Sequence, residues 1–111
     1  MPKKENKEID KIIYNFAEEL KKEIPVKKIL LFGSYAKGGY DRDSDIDVIV
    51  VSPYFTKGRR ITHMQYLFRK ASKVNLRLEP IPATPSEINN PDRRVFLGQI
   101  LKSAKVYNFS S

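Results

Sequence analysis

Seven consecutive residues restrict this chain's fold more than any others: Asp45-Ile46-Asp47-Val48-Ile49-Val50-Val51. The run opens with polar–apolar alternation and becomes continuously apolar, the pattern of a central strand covered on both faces. Ser52-Pro53 stops it. Alternate side chains of a strand share a face, so Asp45 and Asp47 project the same way from positions roughly 6–7 Å apart, while Ile46 and Val48 enter the core. Aspartate is disfavoured in strands. Two carboxylates at the mouth of a buried strand also repel each other, which raises their pKa values unless a cation lies between them. A divalent metal is the simplest such cation. The alternative is that two aspartates merely solvate the start of an edge strand, and Asp-x-Asp alone does not decide between these.

The flanking sequence supplies the remaining elements. Ile9, Ile12, Ile13, Phe16, Ala17 and Leu20 recur at helical spacing, and Pro25 ends that helix. Lys27 to Phe32 reads as a short buried strand bounded by Gly33. Residues 34–44 form a loop with the pairs Gly38-Gly39 and Asp43-Ser44. Ile61, Met64, Leu67, Phe68 and Ala71 mark a second helix. Val74, Leu76 and Leu78 alternate with Asn75, Arg77 and Glu79, predicting a half-covered strand whose prolines, Pro80 and Pro82, put its far end at an edge. Thr84-Pro85-Ser86-Glu87 is a capping sequence, and Asn90-Pro91 repeats the cap-and-proline pattern before a helix to about Lys102. Val106 to Phe109 closes as a short strand. The expected architecture is α+β within the α/β class: helices packed on a small mixed sheet in two layers, with residues 1–111 forming one domain.

Composition narrows the chemistry. With no cysteine and one histidine, the chain has no disulfide, no thiolate nucleophile and no multi-histidine zinc site. The net charge of +8 favours anionic partners without choosing among them. The first ten residues are too polar for a signal peptide and the apolar runs too short to span a membrane, so cytoplasmic residence without membrane association is the expectation.

A strand ending in Gly33 lets backbone approach a ligand with no side chain intervening, and Ser34 adds a hydroxyl beside amides able to bind phosphate oxygens. An ordinary strand-ending turn is the competing reading of an isolated Gly-Ser pair. By the alternation above Glu79 faces away from the core, where a surface residue paired with Arg77 or a lysine is one reading. His63 is expected at the surface or a boundary. Lys57, Arg59 and Arg60 are read as solvent-facing, Tyr54 and Phe55 as core, and Asp41 and Asp43 as loop residues.

Together, Gly33-Ser34-Tyr35-Ala36-Lys37-Gly38 and Ser44-Asp45-Ile46-Asp47-Val48, ten residues separating Gly33-Ser34 from Asp45, resemble the signature of the DNA polymerase beta-like nucleotidyltransferase superfamily, in its minimal, MNT-type branch. The resemblance follows the whole order of elements, with its specificity in residues 29–51. It implies two Mg2+ ions held by Asp45, Asp47 and a third carboxylate, for which Glu79 stands where the family more often has aspartate. It further implies nucleotide binding by Gly33, Ser34 and Lys37, and transfer of a nucleoside monophosphate, AMP from ATP, to a hydroxyl. Small members of that branch pair as antitoxins with HEPN-domain toxins and adenylylate a tyrosine. A catalytically weak binding module that inhibits its partner by occlusion is the alternative. A basic nucleic-acid-binding domain is a third, resting on charge alone.

Overall fold

The computed structural model describes residues 6–33, 35, 44–56, 58–89 and 100–109. Helix α1 spans Asn6–Lys21, and its apolar stripe from Ile9 to Leu20 is buried as the spacing predicts. The amides of Glu23 and Ile24 both donate to the Leu20 carbonyl, so the chain has left the helix before Pro25. There follow β1 (Lys28–Phe32), β2 (Ile46–Val51), α2 (Arg60–Ser72), β3 (Leu78–Ala83), α3 (Pro85–Asn89) and β4 (Lys105–Asn108). The sheet order is β3-β2-β1-β4. β1 runs antiparallel to β2 and β4, whereas β2 and β3 are parallel. A parallel pair needs a crossover, and α2 is that crossover.

The two faces of β2 bury different sets of residues. Ile46, Val48 and Val50 pack with Ile29, Leu31, Leu67 and Ala71 beneath α1 and α2. Ile49 and Val51 face the other way, with Leu30, Ala83, Ile88, Ile100 and Leu101. The chain is a four-stranded mixed sheet flanked by helices, the α+β arrangement expected.

β3 departs from the sequence-based expectation. The alternation over 74–79 predicts a strand, but Val74 to Arg77 form the exit turn of α2. The amides of Val74 and Asn75 donate to the Ala71 carbonyl, and the Arg77 amide donates to Asn75 Oδ1 at 2.8 Å. This side-chain bond to the backbone holds a turn that outcompetes pairing, and it leaves Leu76 85% exposed. The strand instead starts at Leu78 and runs through both prolines. It tolerates them because β3 is an edge. The carbonyls of Arg77 and Ala83 accept from Ile46 and Ser52, so odd-numbered residues bond to β2 and the nitrogens of Pro80 and Pro82 point outward, where no N–H is needed.

In α2 the buried face is His63, Leu67 and Ala71. The helix marked by Ile61 to Ala71 forms, and that four-residue spacing turns Ile61, 73% exposed, and Phe68 outward. α3 forms as its capping sequence predicts: the Glu87 amide donates to Thr84 Oγ1 at 3.2 Å, and the Thr84 amide donates to Glu87 Oε1 at 2.9 Å. The helix expected from Asn90-Pro91 lies mostly outside the described residues.

Candidate active site

The ends of β1, β2 and β3 bring the predicted acids together. Asp47 pairs in register with Phe32 on one side and with Glu79 on the other. Neighbouring strands lie about 4.8 Å apart, so Asp47 and Glu79 are immediate neighbours. Leu78 and Ile46 are buried toward α1 and α2, which puts Glu79 and Asp47 on the opposite sheet face. Further along that face Ile49, Val51 and Ala83 are covered; Glu79 and Asp45 are exposed and Asp47 half-buried.

The electrostatics show how closely the three interact. Burial, then the charge of Asp45, raise the pKa of Asp47. Glu79 is raised by burial, by the charges of Asp45 and Asp47, and by a hydrogen bond with Asp45. No basic group among the described residues offsets either shift. Negative charge that no lysine or arginine among the described residues compensates is the donor chemistry that suits a hard divalent cation. Among the described residues no three such side chains are already closed into an ion-sized cage. These side chains would turn to hold an ion.

Gly33 sits against this cluster. Its φ is +74°, in the left-handed region, and a Cβ built there would collide with Asp47 Oδ2 and stand 3.2 Å from Asp47 Cγ. Only glycine both adopts this turn and leaves the Asp47 carboxylate its place. Ser34 and Lys37, the other predicted nucleotide-binding residues, lie outside the described residues, as do Asp41, Asp43 and Lys57.

Arg77 donates from Nη1 to the hydroxyl of Tyr35 at 2.6 Å. Sequence reasoning offered Arg77 only as a surface partner of Glu79 and left Tyr35 in a loop; their link crosses 42 positions and has no local signature. His63 is buried rather than at the surface, 7% exposed, and its Nε2 accepts from the Thr56 amide at 3.2 Å. Burial, then Arg59, lower its pKa, so it is a neutral structural acceptor. Phe55 is in the core as expected, whereas Tyr54 is 51% exposed, its ring against Phe55, His63 and Tyr66.

Three proteins of Methanocaldococcus jannaschii, each provisionally named a protein adenylyltransferase, resemble part of this chain. They are 48%, 41% and 46% identical over 44, 46 and 43 residues, or 38%, 40% and 39% of this chain. The matches span 44%, 46% and 50% of those relatives, half their length or less. Two crystal structures share the fold. A provisionally named nucleotidyltransferase from Sulfolobus solfataricus superposes with a TM-score of 0.58 at 21% identity, over 87% of this chain and 73% of its own. A toxin–antitoxin structure with AMP-PNP gives 0.53 at 24%, over 84% and 70%. The nucleotidyltransferase domain model matches residues 13–105, which take in the Gly33 turn, all three acids and strands β1 to β3. The chain therefore belongs to the nucleotidyltransferase domain family.

Proposed function

We propose that this chain is a metal-dependent nucleotidyltransferase that moves AMP from ATP to a protein hydroxyl. The observation that carries this reading is the convergence of Asp45, Asp47 and Glu79, mutually repelling, beside a glycine whose missing Cβ makes room for the Asp47 carboxylate. Asp45 and Asp47 would hold two Mg2+ ions, and Glu79 would complete the acceptor-side ligand set. Bound magnesium supplies charge neutralisation on the triphosphate and lowers the pKa of the acceptor hydroxyl. Gly33, Ser34 and Lys37 hold the β- and γ-phosphates. Glu79 receives the hydroxyl proton; the acceptor oxygen bonds to the α-phosphorus as the bond to the bridging oxygen breaks, and pyrophosphate leaves. Positioning and charge stabilisation supply most of the rate in such chemistry.

A protein acceptor is supported by the names of the M. jannaschii relatives and by the toxin–antitoxin neighbour. On the family resemblance we further propose that the chain acts in the cytoplasm as an antitoxin on a tyrosine of a HEPN-type toxin. Residues 48–78 contain seven lysines and arginines and no acid, and Ile61 and Leu76 stand exposed, a segment whose net charge suits an acidic protein. No helix of the described residues is long and apolar enough to cross a membrane.

The test is incubation with magnesium and ATP labelled at the α-phosphate, with and without the protein encoded beside it. Label is expected on a protein hydroxyl and is expected to vanish in Asp45→Asn/Asp47→Asn. The second reading, occlusion without chemistry, draws on the glutamate at position 79, where the resembled family more often has aspartate. Inhibition of the partner with no label, unchanged by the two substitutions, would establish it instead.

A further inference from the structure

We propose that Arg77 and Tyr35 are positioning residues, a strut that fixes the Gly33 turn against the strands carrying the acids. The inference rests on nucleotide binding at that turn, as proposed above. Arg77 is tied through its amide, its carbonyl and its guanidinium. Its amide donates to Asn75 Oδ1 at 2.8 Å, and its carbonyl accepts from the Ile46 amide at 2.8 Å, the residue between Asp45 and Asp47. Its guanidinium donates to Tyr35 Oη at 2.6 Å. The first holds the turn that leads into β3, and the second fixes that point, two residues before Glu79, to the start of β2. The third reaches the chain two residues beyond Gly33.

Tyr35 is suited to receive this bond. It is only 5% exposed and packs in the core beneath α1, so its hydroxyl is presented from a ring that cannot drift. The Arg77 carbon Cζ also lies 5.9 Å from the centre of that ring. A charged donor on a neutral hydroxyl makes a short, strong hydrogen bond. Arg77 is not among the groups that shift Asp47 or Glu79, so its effect on the acids is geometric rather than electrostatic. Losing the bond frees the turn relative to Asp47, whose carboxylate occupies the space beside Gly33. Small misplacements of this kind carry a disproportionate cost in phosphate-binding and transfer sites.

The test measures affinity of the full chain for AMP-PNP with magnesium by calorimetry, so no acceptor is needed. Tyr35→Phe, which keeps the ring, and Arg77→Met should each weaken binding about tenfold, and the double variant should be no worse than either alone. Arg77→Lys should stay within about threefold of the wild type, because an ammonium still donates to Tyr35. Thr84→Ala, which loosens the α3 cap away from the site, serves as a stability-matched control and should leave affinity unchanged. Additive losses, unchanged affinity in Tyr35→Phe, or an equal loss in Thr84→Ala would overturn the strut while leaving the proposed function standing. A wild type that binds no AMP-PNP would remove the proposed function and the strut with it.

Discussion

Replacing Gly33 by alanine probes the contact on which the candidate site depends. At φ +74° an alanine pays the left-handed backbone penalty, about 1–2 kcal/mol. Its Cβ would also overlap Asp47 Oδ2. β2 cannot retreat, because Asp47 is paired in register on both sides, so the carboxylate must rotate. The new Cβ lies 3.4 Å from Asp47 Cβ, close but tolerable, so rotation is enough to relieve the clash. A displaced rotamer adds about 0.5–1.5 kcal/mol. The total is about 2–3 kcal/mol, which in a domain of this size lowers Tm by roughly 10–20 °C. In an Asp47→Ala background the rotamer part disappears, so Gly33→Ala should cost about 1 kcal/mol less there than in the wild type. Urea denaturation of the four proteins measures this coupling, and label transfer from ATP should fall at least about 100-fold in Gly33→Ala. Equal costs in both backgrounds, or full activity in Gly33→Ala, would refute the claim that glycine is required to make room for Asp47.

Other consequences follow from the same structure. The folded protein holds protons on Asp47 and Glu79 more tightly than the unfolded chain does, so their contribution to stability is full below the ordinary values of 3.8 and 4.5 and is lost as pH rises through the raised ones. Denaturant titrations without divalent ions should therefore show Asp47→Asn gaining on the wild type from about pH 4 upward; parallel pH curves would contradict the repulsion. Magnesium should raise the Tm of the wild type at pH 7 and leave Asp45→Asn/Asp47→Asn unmoved, as differential scanning fluorimetry would detect. Phe16→Ala, at a fully buried position of α1, should cost about 3–5 kcal/mol, readable in the urea midpoint. Glu87→Ala removes both the α3 capping bond and the ion pair to Arg60 at 2.8 Å, and should cost about 1–2 kcal/mol, readable in the urea midpoint.

Much of this was legible because local chemistry and tertiary context agree. The stripe of α1 and the run from Ile46 to Val51 each satisfy one period and one environment, and both form as read. The capping box at Thr84 and Glu87 is a short-range motif whose bonds need nothing distant. β3 was misplaced because period-two alternation does not separate a strand from a helix-exit turn when a single Asn75 side chain decides. The prolines located the edge correctly but not the fact that β3 continues through them. Ile61 and Phe68 fit the helical period of α2 yet face outward, since periodicity gives a stripe without saying which of two candidate stripes meets the sheet. Asp45 and Asp47 were found from their spacing on one strand, which survives folding, whereas Glu79 was found through the family resemblance. Arg77 and Tyr35 were not, because only the fold brings them together.

Diffraction from crystals grown with manganese and AMP-PNP, recorded at the manganese absorption edge, tests the central claim most directly. Anomalous peaks ligated by Asp45, Asp47 and Glu79, with the triphosphate against the Gly33 turn, are the predicted result. Nucleotide bound elsewhere, or manganese that leaves these three carboxylates in their ion-free arrangement, would contradict it.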